Sequence, residues 1–440
     1  MLSNIQATFR RRSRTAGQVA GRSLRSSTRA VLALSDQAVV SAMSFAMTVV
    51  IGRVCGKAEL GLYALGMSVV LLAIAAQQSL ISAAHTVFSV RLVETEKQNY
   101  NGVVAIQFVA LGLAIAVLLA IATAVFVVGT GDRETGRVLM VLVIAAPCIL
   151  IREFVRRFEF ARFRVTSALS LDVVIASVQI SLLALLAYTG FLSGTSGLLA
   201  VGVSCALTGA IWFYRNRTQF KFDEIDHATQ WKRGWQFGRW VFAGQITFAM
   251  VGFCIQWIMV MMIDKSAVGV YGACMTLVLL ANPVILGLQN LLSPSIAKAV
   301  HHGGRVGARN LVAKATVALT FLMAAYVAVV VLFGDIAMIK LYGDAFAGNG
   351  RTISILGIGA LATAIGVSSN HGLRALERPE LNFAASLVGL TSGVVAAIVL
   401  IPSLGVAGAA SGYAVSCIVT SLARLLSFAV VSRSTLEVAA

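Results

Sequence analysis

Charged residues are scarce in this chain of 440 residues. Only 12% are Asp, Glu, Lys or Arg, whereas 58% are hydrophobic and the mean hydropathy is +0.87. A chain of this composition has too little polar surface to cover a water-soluble globule of its size. The composition therefore predicts an integral membrane protein.

Motifs of soluble catalysis and of metal binding are also missing. The sequence has no P-loop, no G-x-S-x-G and no H-E-x-x-H. Its six cysteines are scattered singly without C-x-x-C spacing, which is typical of small packing residues. We therefore predict no catalytic residues, no metal and no cofactor, and we expect that the chain is not an enzyme.

Long apolar runs fill most of the sequence. Spanning hydrocarbon takes about 20 apolar residues in a helix, and the runs lack the alternation of barrel strands. They lie near 31–51, 60–88, 102–128, 138–151, 167–190, 195–214, 237–263, 268–293, 311–334, 351–372, 381–402 and 406–431. The prediction is an all-α integral membrane fold with twelve transmembrane helices.

The two halves carry the same pattern at an offset of 208 residues. The run Leu60–Ala73 matches Val268–Ala281 with glycine, tyrosine and methionine in phase, and the same offset pairs Lys57 with Lys265. Repeats of this kind mark transporters with a site between two lobes. Six helices per half give equivalent helices the same orientation, so we predict two parallel six-helix repeats around a central cavity.

Basic residues are distributed unevenly over the predicted loops. If the N-terminus is cytoplasmic, about four-fifths of the lysines and arginines lie on the cytoplasmic side, as the positive-inside rule demands. Both termini are then cytoplasmic. The net charge of +17 follows from this bias, and no basic-aromatic module predicts nucleic-acid binding.

Five segments follow from this topology. They are a basic cytoplasmic tail (1–30), an N-terminal six-helix lobe (31–214), a cytoplasmic linker (215–236), a C-terminal six-helix lobe (237–431) and a cytoplasmic tail (432–440). We expect the first tail to be partly disordered and to hold anionic membrane lipids through its arginines. A purely topogenic signal and an organellar presequence are the alternatives.

Polar residues inside the predicted helices are candidates for the wall of a cavity, because hydrocarbon penalises them elsewhere. In helix 1 they are spaced by 4, 3 and 4 residues, on one stripe. Ordinary helix packing is the alternative explanation. The cavity candidates are Gln37, Ser41, Ser44, Thr48, Arg53, Gln78, Gln245, Gln256, Asn282, Gln289 and Arg374.

Charged residues narrow the possible cargo. Asp36 and Asp172 are the only acids within the predicted spans, and both are candidates for ion coupling. Each lies near a predicted helix start, where a structural or cap-like role is the favoured alternative. Arg53 and Arg374 lie at span ends and match the geometry of a pyrophosphate group, with snorkelling to the interface as their alternative.

Short motifs resemble a known family. They are Ser35-Asp36-Gln37, Ser41, Phe45, Arg53, Gly61, Tyr63, Gly269, Tyr271 and the run Gly405–Ala410. The chain is similar to bacterial polysaccharide-biosynthesis membrane proteins, the O-antigen and exopolysaccharide flippases of the multidrug/oligosaccharidyl-lipid/polysaccharide superfamily. The resemblance implies an inner-membrane location and two lobes around a V-shaped cavity lined by helices 1, 2, 7 and 8.

The expected function is an alternating-access flippase for a polyprenyl-pyrophosphate-linked oligosaccharide in cell-surface polysaccharide (lipopolysaccharide) biosynthesis. Its partners would be this lipid-linked oligosaccharide, membrane lipids and other polysaccharide-assembly proteins. A cation-coupled multidrug antiporter of the same fold is the alternative. A membrane polymerase or ligase is a third hypothesis. It is disfavoured because such an enzyme would need a sizeable external loop, and the predicted external loops are short.

Overall fold

The computed structural model describes residues 2–89, 92–162, 164–222 and 227–433. These residues form helices throughout, and no β-strand occurs among them. The helices are α1 Leu2–Gln77, α2 Ala83–Phe88, α3 Glu94–Thr130, α4 Arg133–Ala161, α5 Val165–Tyr188, α6 Gly194–Asn216, α7 His227–Met262, α8 Lys265–Val278, α9 Asn282–Tyr342, α10 Gly350–Ala375, α11 Pro379–Leu404 and α12 Val406–Arg433.

Two sharp bends divide the long helices α1 and α9 into separate membrane crossings. Gly56 has φ 84° and Gly304 has φ 56°, values that glycine adopts without the penalty of a side chain. The part of α1 after Gly56 continues through a π-helical segment, Gln78–Ser82, into α2. Likewise, α8 continues through Leu279–Ala281 into the first part of α9.

The described helices therefore divide into twelve segments, which is the number of helices that the sequence predicts. Ten helices of the described part are long and apolar enough to cross a membrane, and one of them, Leu34–Phe88, has 55 residues and contains the Gly56 bend. Lys265–Ala281 is a shorter apolar helix that is extended by α9. We call α1–α6 the first lobe and α7–α12 the second lobe. The two ends of the bundle are the Gly56 end and the Gly304 end.

Three predicted boundaries were wrong. Residues 2–30, expected to be a partly disordered tail, are helical and continuous with α1. Helix α4 continues to Ala161, ten residues beyond its apolar run, because its last turns bury charged side chains in pairs that hydropathy does not register. Helix α7 begins at His227, which shortens the predicted linker. Residues 223–226 and the last seven residues lie outside the described part.

The duplication is visible in the backbone itself. At the α4–α5 turn, Arg164 N donates to Glu159 O, and at the α10–α11 turn Arg378 N donates to Leu373 O, both at 2.9 Å. These two turns are related by an offset of 214 residues. The halves are thus two parallel repeats of one six-helix unit.

Candidate functional site: the interface of the lobes and its charged clusters

The lobes meet at the Gly56 end through a reciprocal contact of repeat-related glycines. A β-carbon on Gly61 would lie 2.8 Å from the carbonyl carbon of Lys265, and one on Gly269 would lie 2.9 Å from that of Lys57. Both pairs obey the 208-residue offset. Only glycine permits such an approach of backbones, so the repeat axis passes through this crossing of α1 and α8.

Ion pairs join the lobes beside the glycines. Lys265 Nζ lies 2.8 Å from Asp132 Oδ1 and 2.8 Å from Glu134 Oε2. Partial burial would raise the pKa of Asp132, but hydrogen bonds from Lys265 and Thr135 lower that pKa below its ordinary value. Burial would lower the pKa of Lys265, and its pairing with the two carboxylates raises that pKa above its ordinary value.

Arg53, predicted to bind a headgroup, also connects the lobes at this end. Its Nη1 donates to the carbonyl oxygens of Lys340 and Leu341, the latter at 3.2 Å. These carbonyls belong to the last turn of α9, where the helix dipole favours a cation. Thr48, another predicted cavity residue, bonds to Phe45 O at 2.8 Å and lies 3.4 Å from the Tyr342 hydroxyl.

A further seam runs between α7 and the second part of α1. Trp257 Nε1 donates to Ser68 Oγ at 3.2 Å. Towards the Gly304 end, a β-carbon on Gly238 would lie 2.7 Å from Ser79 O. The lobes thus contact at both ends along this seam, whereas the described inter-lobe ion pairs lie at the Gly56 end.

Inside the first lobe, Asp36 and Asp172 converge on one arginine. Arg156 Nε lies 3.0 Å from Asp36 Oδ2 and 3.3 Å from Asp172 Oδ2. Its Nη2 also donates to Gln37 Oε1 at 3.1 Å, so this predicted cavity residue faces the interior of its own lobe. Asp172 Oδ1 accepts from Arg152 Nε at 2.7 Å.

Of the structural or cap-like roles expected for the two aspartates, the cap-like role is wrong, whereas the structural role agrees with their ion pairs. Asp36 lies within the continuous helix α1, and Asp172 lies two turns beyond the start of α5. Both are buried, and their partners come from α4. A cap needs free backbone amides in a first turn, and neither position offers them.

Two acids of this cluster, Glu153 and Glu159, were not predicted from the sequence. Gln78, in the π-helical segment, donates to Glu153 Oε2 at 3.2 Å, and Glu159 Oε1 accepts from Trp212 Nε1 at 2.9 Å. Both glutamates lie beyond residue 151, where the apolar run of helix 4 ended. The alternation of acids with Arg152 and Arg156 at helical spacing was the signal that could have found them.

The remaining predicted cavity residues are not drawn into one site. Ser44 and Gln245 are exposed, and Ser41 is half-buried. Gln256 is half-buried, and its Oε1 atom is buried without a hydrogen-bond partner. Asn282 and Gln289, on the first part of α9, are half-buried.

Arg374 lies in the last turn of α10, at the Gly304 end, and is exposed. It lies within electrostatic range of His371 and of Arg424 on α12. The structure therefore gives the second lobe two neighbouring arginines, whereas the cluster of the first lobe contains four acids, three of them paired with arginines.

No protein-family model and no curated protein matches this chain. One similar solved structure is the inward-facing conformation of a multidrug resistance MATE family transporter of the MOP superfamily. Its sequence is 16% identical to this chain, the TM-score is 0.76, and the match covers 89% of this chain and 95% of that chain. The outward-facing conformation of such a transporter shares 15% identity at a TM-score of 0.66, covering 92% and 96%.

A third similar structure is a MOP superfamily transporter from Pyrococcus furiosus, described by a reversed polarity of its binding pocket. It shares 15% identity, covers 92% of this chain and 96% of that chain, and has a TM-score of 0.67. These likenesses establish the fold: the chain has the two-repeat helical architecture of MOP superfamily transporters.

Proposed function

We propose that this chain is an alternating-access transporter in a state closed at the Gly56 end. The reciprocal contact of Gly61 and Gly269 carries the proposal. Two repeat-related lobes touch there through backbone and a few ion pairs, so rocking one lobe against the other separates a small, well-defined surface. The positive-inside prediction assigns the Gly56 end to the outside, so the proposed state is closed towards the outside. The higher TM-score with the inward-facing transporter agrees with that assignment.

A cation-coupled multidrug antiporter is the first candidate for the transport reaction. The similar structures of multidrug transporters favour it, and the first-lobe cluster gives it a coupling site. Asp36 and Asp172 share Arg156 at 3.0 and 3.3 Å. A proton or cation bound to either carboxylate would weaken its hold on the shared guanidinium, and Arg156 would move towards the other.

Export of a lipid-linked oligosaccharide is the second candidate. It is favoured by the cations of the second lobe, because guanidinium groups suit a pyrophosphate link between lipid and glycan. Asp172, Asp36 and Glu153 of the first lobe are also each paired with an arginine, so none of these three carboxylates is left unpaired for a cationic drug. The glycan would pass between the lobes while the lipid tail stays in the bilayer.

A reversible lock at the Gly56 end tests the transport proposal. A β-carbon on Gly272 would lie 3.4 Å from Ala64 Cβ, close to the spacing in disulfides. The double variant Ala64→Cys/Gly272→Cys, in a background without the six native cysteines, should therefore form a bond between the lobes. Oxidation should stop transport, and reduction should restore it. The two single cysteine variants are the controls.

Two readouts in the same cells distinguish the cargoes. Efflux of a cationic dye reports the antiporter, and labelling of lipid-linked oligosaccharide with an impermeant glycan-modifying reagent reports flipping. Whichever activity falls on oxidation identifies the transported class. If the disulfide forms and both activities persist, alternating access through this contact is refuted.

A further inference from the structure

The second lobe places an arginine beside the position that corresponds to Asp172 of the first lobe, but that position holds no acid. The 214-residue offset between the two interhelical turns pairs Asp172 with Ser386 and Arg156 with Asn370. Ser386 also meets an arginine, but one from a different helix: its Oγ accepts from Arg424 Nη2 of α12 at 2.9 Å, whereas the arginines beside Asp172 belong to α4. An uncharged hydroxyl thus stands where the first lobe has the carboxylate that pairs with Arg152.

Close helix packing fixes the position of Arg424. A β-carbon on Gly366 of α10 would lie 2.5 Å from Ser421 Oγ, and one on Gly389 of α11 would collide with Thr420 Oγ1. Ser421 and Thr420 lie one turn before Arg424, on faces of α12 that contact different helices. The guanidinium therefore enters the junction of α10, α11 and α12.

No carboxylate of these three helices balances this charge. Between Gly350 and Arg433 the sequence contains two acids, Glu377 and Glu380, both at the α10–α11 turn. Glu380 lies 3.4 Å from Arg378, and Glu377 is exposed. A half-buried cation without an opposite charge is costly, and the other cation of the cluster, Arg374, adds repulsion.

Polar atoms without partners surround the same junction. Arg424 Nε and both ring nitrogens of His371 are buried and make no hydrogen bond within the described part of the chain. Asn382 is only 7% exposed. Its Nδ2 donates to Asn370 O at 3.2 Å, whereas the side-chain oxygens of both asparagines have no partner. Buried polar groups are ordinarily hydrogen-bonded, so the junction is built for a further polar group.

We propose that the junction of α10, α11 and α12 binds a phosphate or pyrophosphate group, with Arg424 as its inner ligand and Arg374 at its entrance. Two guanidinium groups match phosphate oxygens in geometry and charge. Arg374 is exposed at the Gly304 end, so an anion arriving from that side meets it before Arg424. The role of the site in cargo recognition rests on the proposed transport function, whereas its binding is measured without transport.

Titration of the purified protein with inorganic pyrophosphate tests the site. The protein is placed in nanodiscs of phosphatidylcholine, and binding is followed by calorimetry. We expect saturable binding to the wild-type protein and at least tenfold weaker binding to Arg424→Gln. Arg433→Gln, which removes a cation at the exposed end of the same helix, should bind as the wild type does.

The variant Ser386→Asp separates loss of binding from loss of folding. It restores the carboxylate of the first lobe beside Arg424, so its thermal stability should equal or exceed that of the wild-type protein while pyrophosphate binding falls at least tenfold. Absence of saturable binding to the wild-type protein would overturn the proposal. Equal affinities of the wild type, Arg424→Gln and Ser386→Asp would overturn it as well.

The source of the phosphate is decided by a second set of nanodiscs that contain phosphatidylglycerol. If a lipid headgroup occupies the junction, this lipid weakens pyrophosphate binding to the wild-type protein. Unchanged affinity assigns the site to the phosphate of a transported substrate. Retained binding in a protein that fails to transport would refute the transport proposal and leave the site intact.

Discussion

Replacing Gly61 or Gly269 by alanine should open the Gly56 end. In Gly61→Ala the new β-carbon would lie 2.8 Å from the carbonyl carbon of Lys265, whereas carbon atoms in contact are about 3.5–4.0 Å apart. The obstructing atoms belong to backbone and have no rotamer to adopt. The closed state can therefore relieve the clash only by moving α1 and α8 apart.

The magnitude follows from overpacking in well-packed interiors, which costs about 1–3 kcal/mol. This energy acts on the closed state alone, so the ratio of open to closed molecules should rise by about 5- to 150-fold. Gly269→Ala should act in the same direction. Because the two glycines share one contact, the double variant should show less than the sum of the single effects.

Gly272→Ala is the matched control. It lies on α8 within one turn of Gly269, but its β-carbon would be 3.4 Å from Ala64 Cβ, an ordinary contact. Spin labels at Val54 and Met262, exposed residues of the two lobes at this end, report the separation by pulsed electron resonance. Unchanged distances in Gly61→Ala and Gly269→Ala, or equal shifts in Gly272→Ala, would refute the role of this contact.

Three further predictions concern the charged pairs. Lys265→Gln removes two partly exposed ion pairs worth about 0.2–1 kcal/mol each, so the same spin labels should show an open fraction raised by about 2- to 30-fold, less in high salt. The pKa of Asp132 is lowered and that of Lys265 is raised, so the stabilisation of the closed state by this pair is lost only below the lowered pKa or above the raised one. Closure through this pair should therefore not change between about pH 5 and pH 9. A transition near neutral pH that persists in Lys265→Gln must come from another group. Asp172→Asn leaves Arg152 buried without its carboxylate and should lower the free energy of unfolding by about 3–5 kcal/mol. The melting temperature should fall, and the double variant Asp172→Asn/Arg152→Gln should partly restore it. Equal melting temperatures of the single variant and the wild type would contradict this account.

The helices and their duplication were predictable because apolar length and periodicity are local properties of the sequence. Residues of the same type recur at an offset of 208 residues, and this pattern alone pairs Lys57 with Lys265. In the structure Lys265 lies against Gly61, and Lys57 lies against Gly269. What the pattern could not supply was the distance between the backbones. That distance depends on how the lobes are arranged, which no single segment encodes.

The charged cluster of the first lobe was harder to predict for a different reason. Hydropathy ends helix 4 at residue 151, but the helix continues because Glu153 and Arg156 exchange hydrogen bonds and ion pairs with α1 and α5. Hydropathy places the end of a membrane span at a charged residue, unless the residue that pairs with its charge is known. Here the partners are distant in sequence, as with Asp36 and Arg156, which are 120 residues apart.

The two lobes have the same fold but different electrostatics. In the first lobe Asp172 neutralises Arg152 at 2.7 Å, so this charge is balanced within the lobe. In the second lobe Ser386 occupies the equivalent position, and the charge of Arg424 has to be met from outside the lobe. A duplicated fold with identical pockets would bind the same ligand twice. If the chain transports as proposed, the first lobe would sense a cation and the second lobe would hold an anion, and closing of the lobes would couple the two.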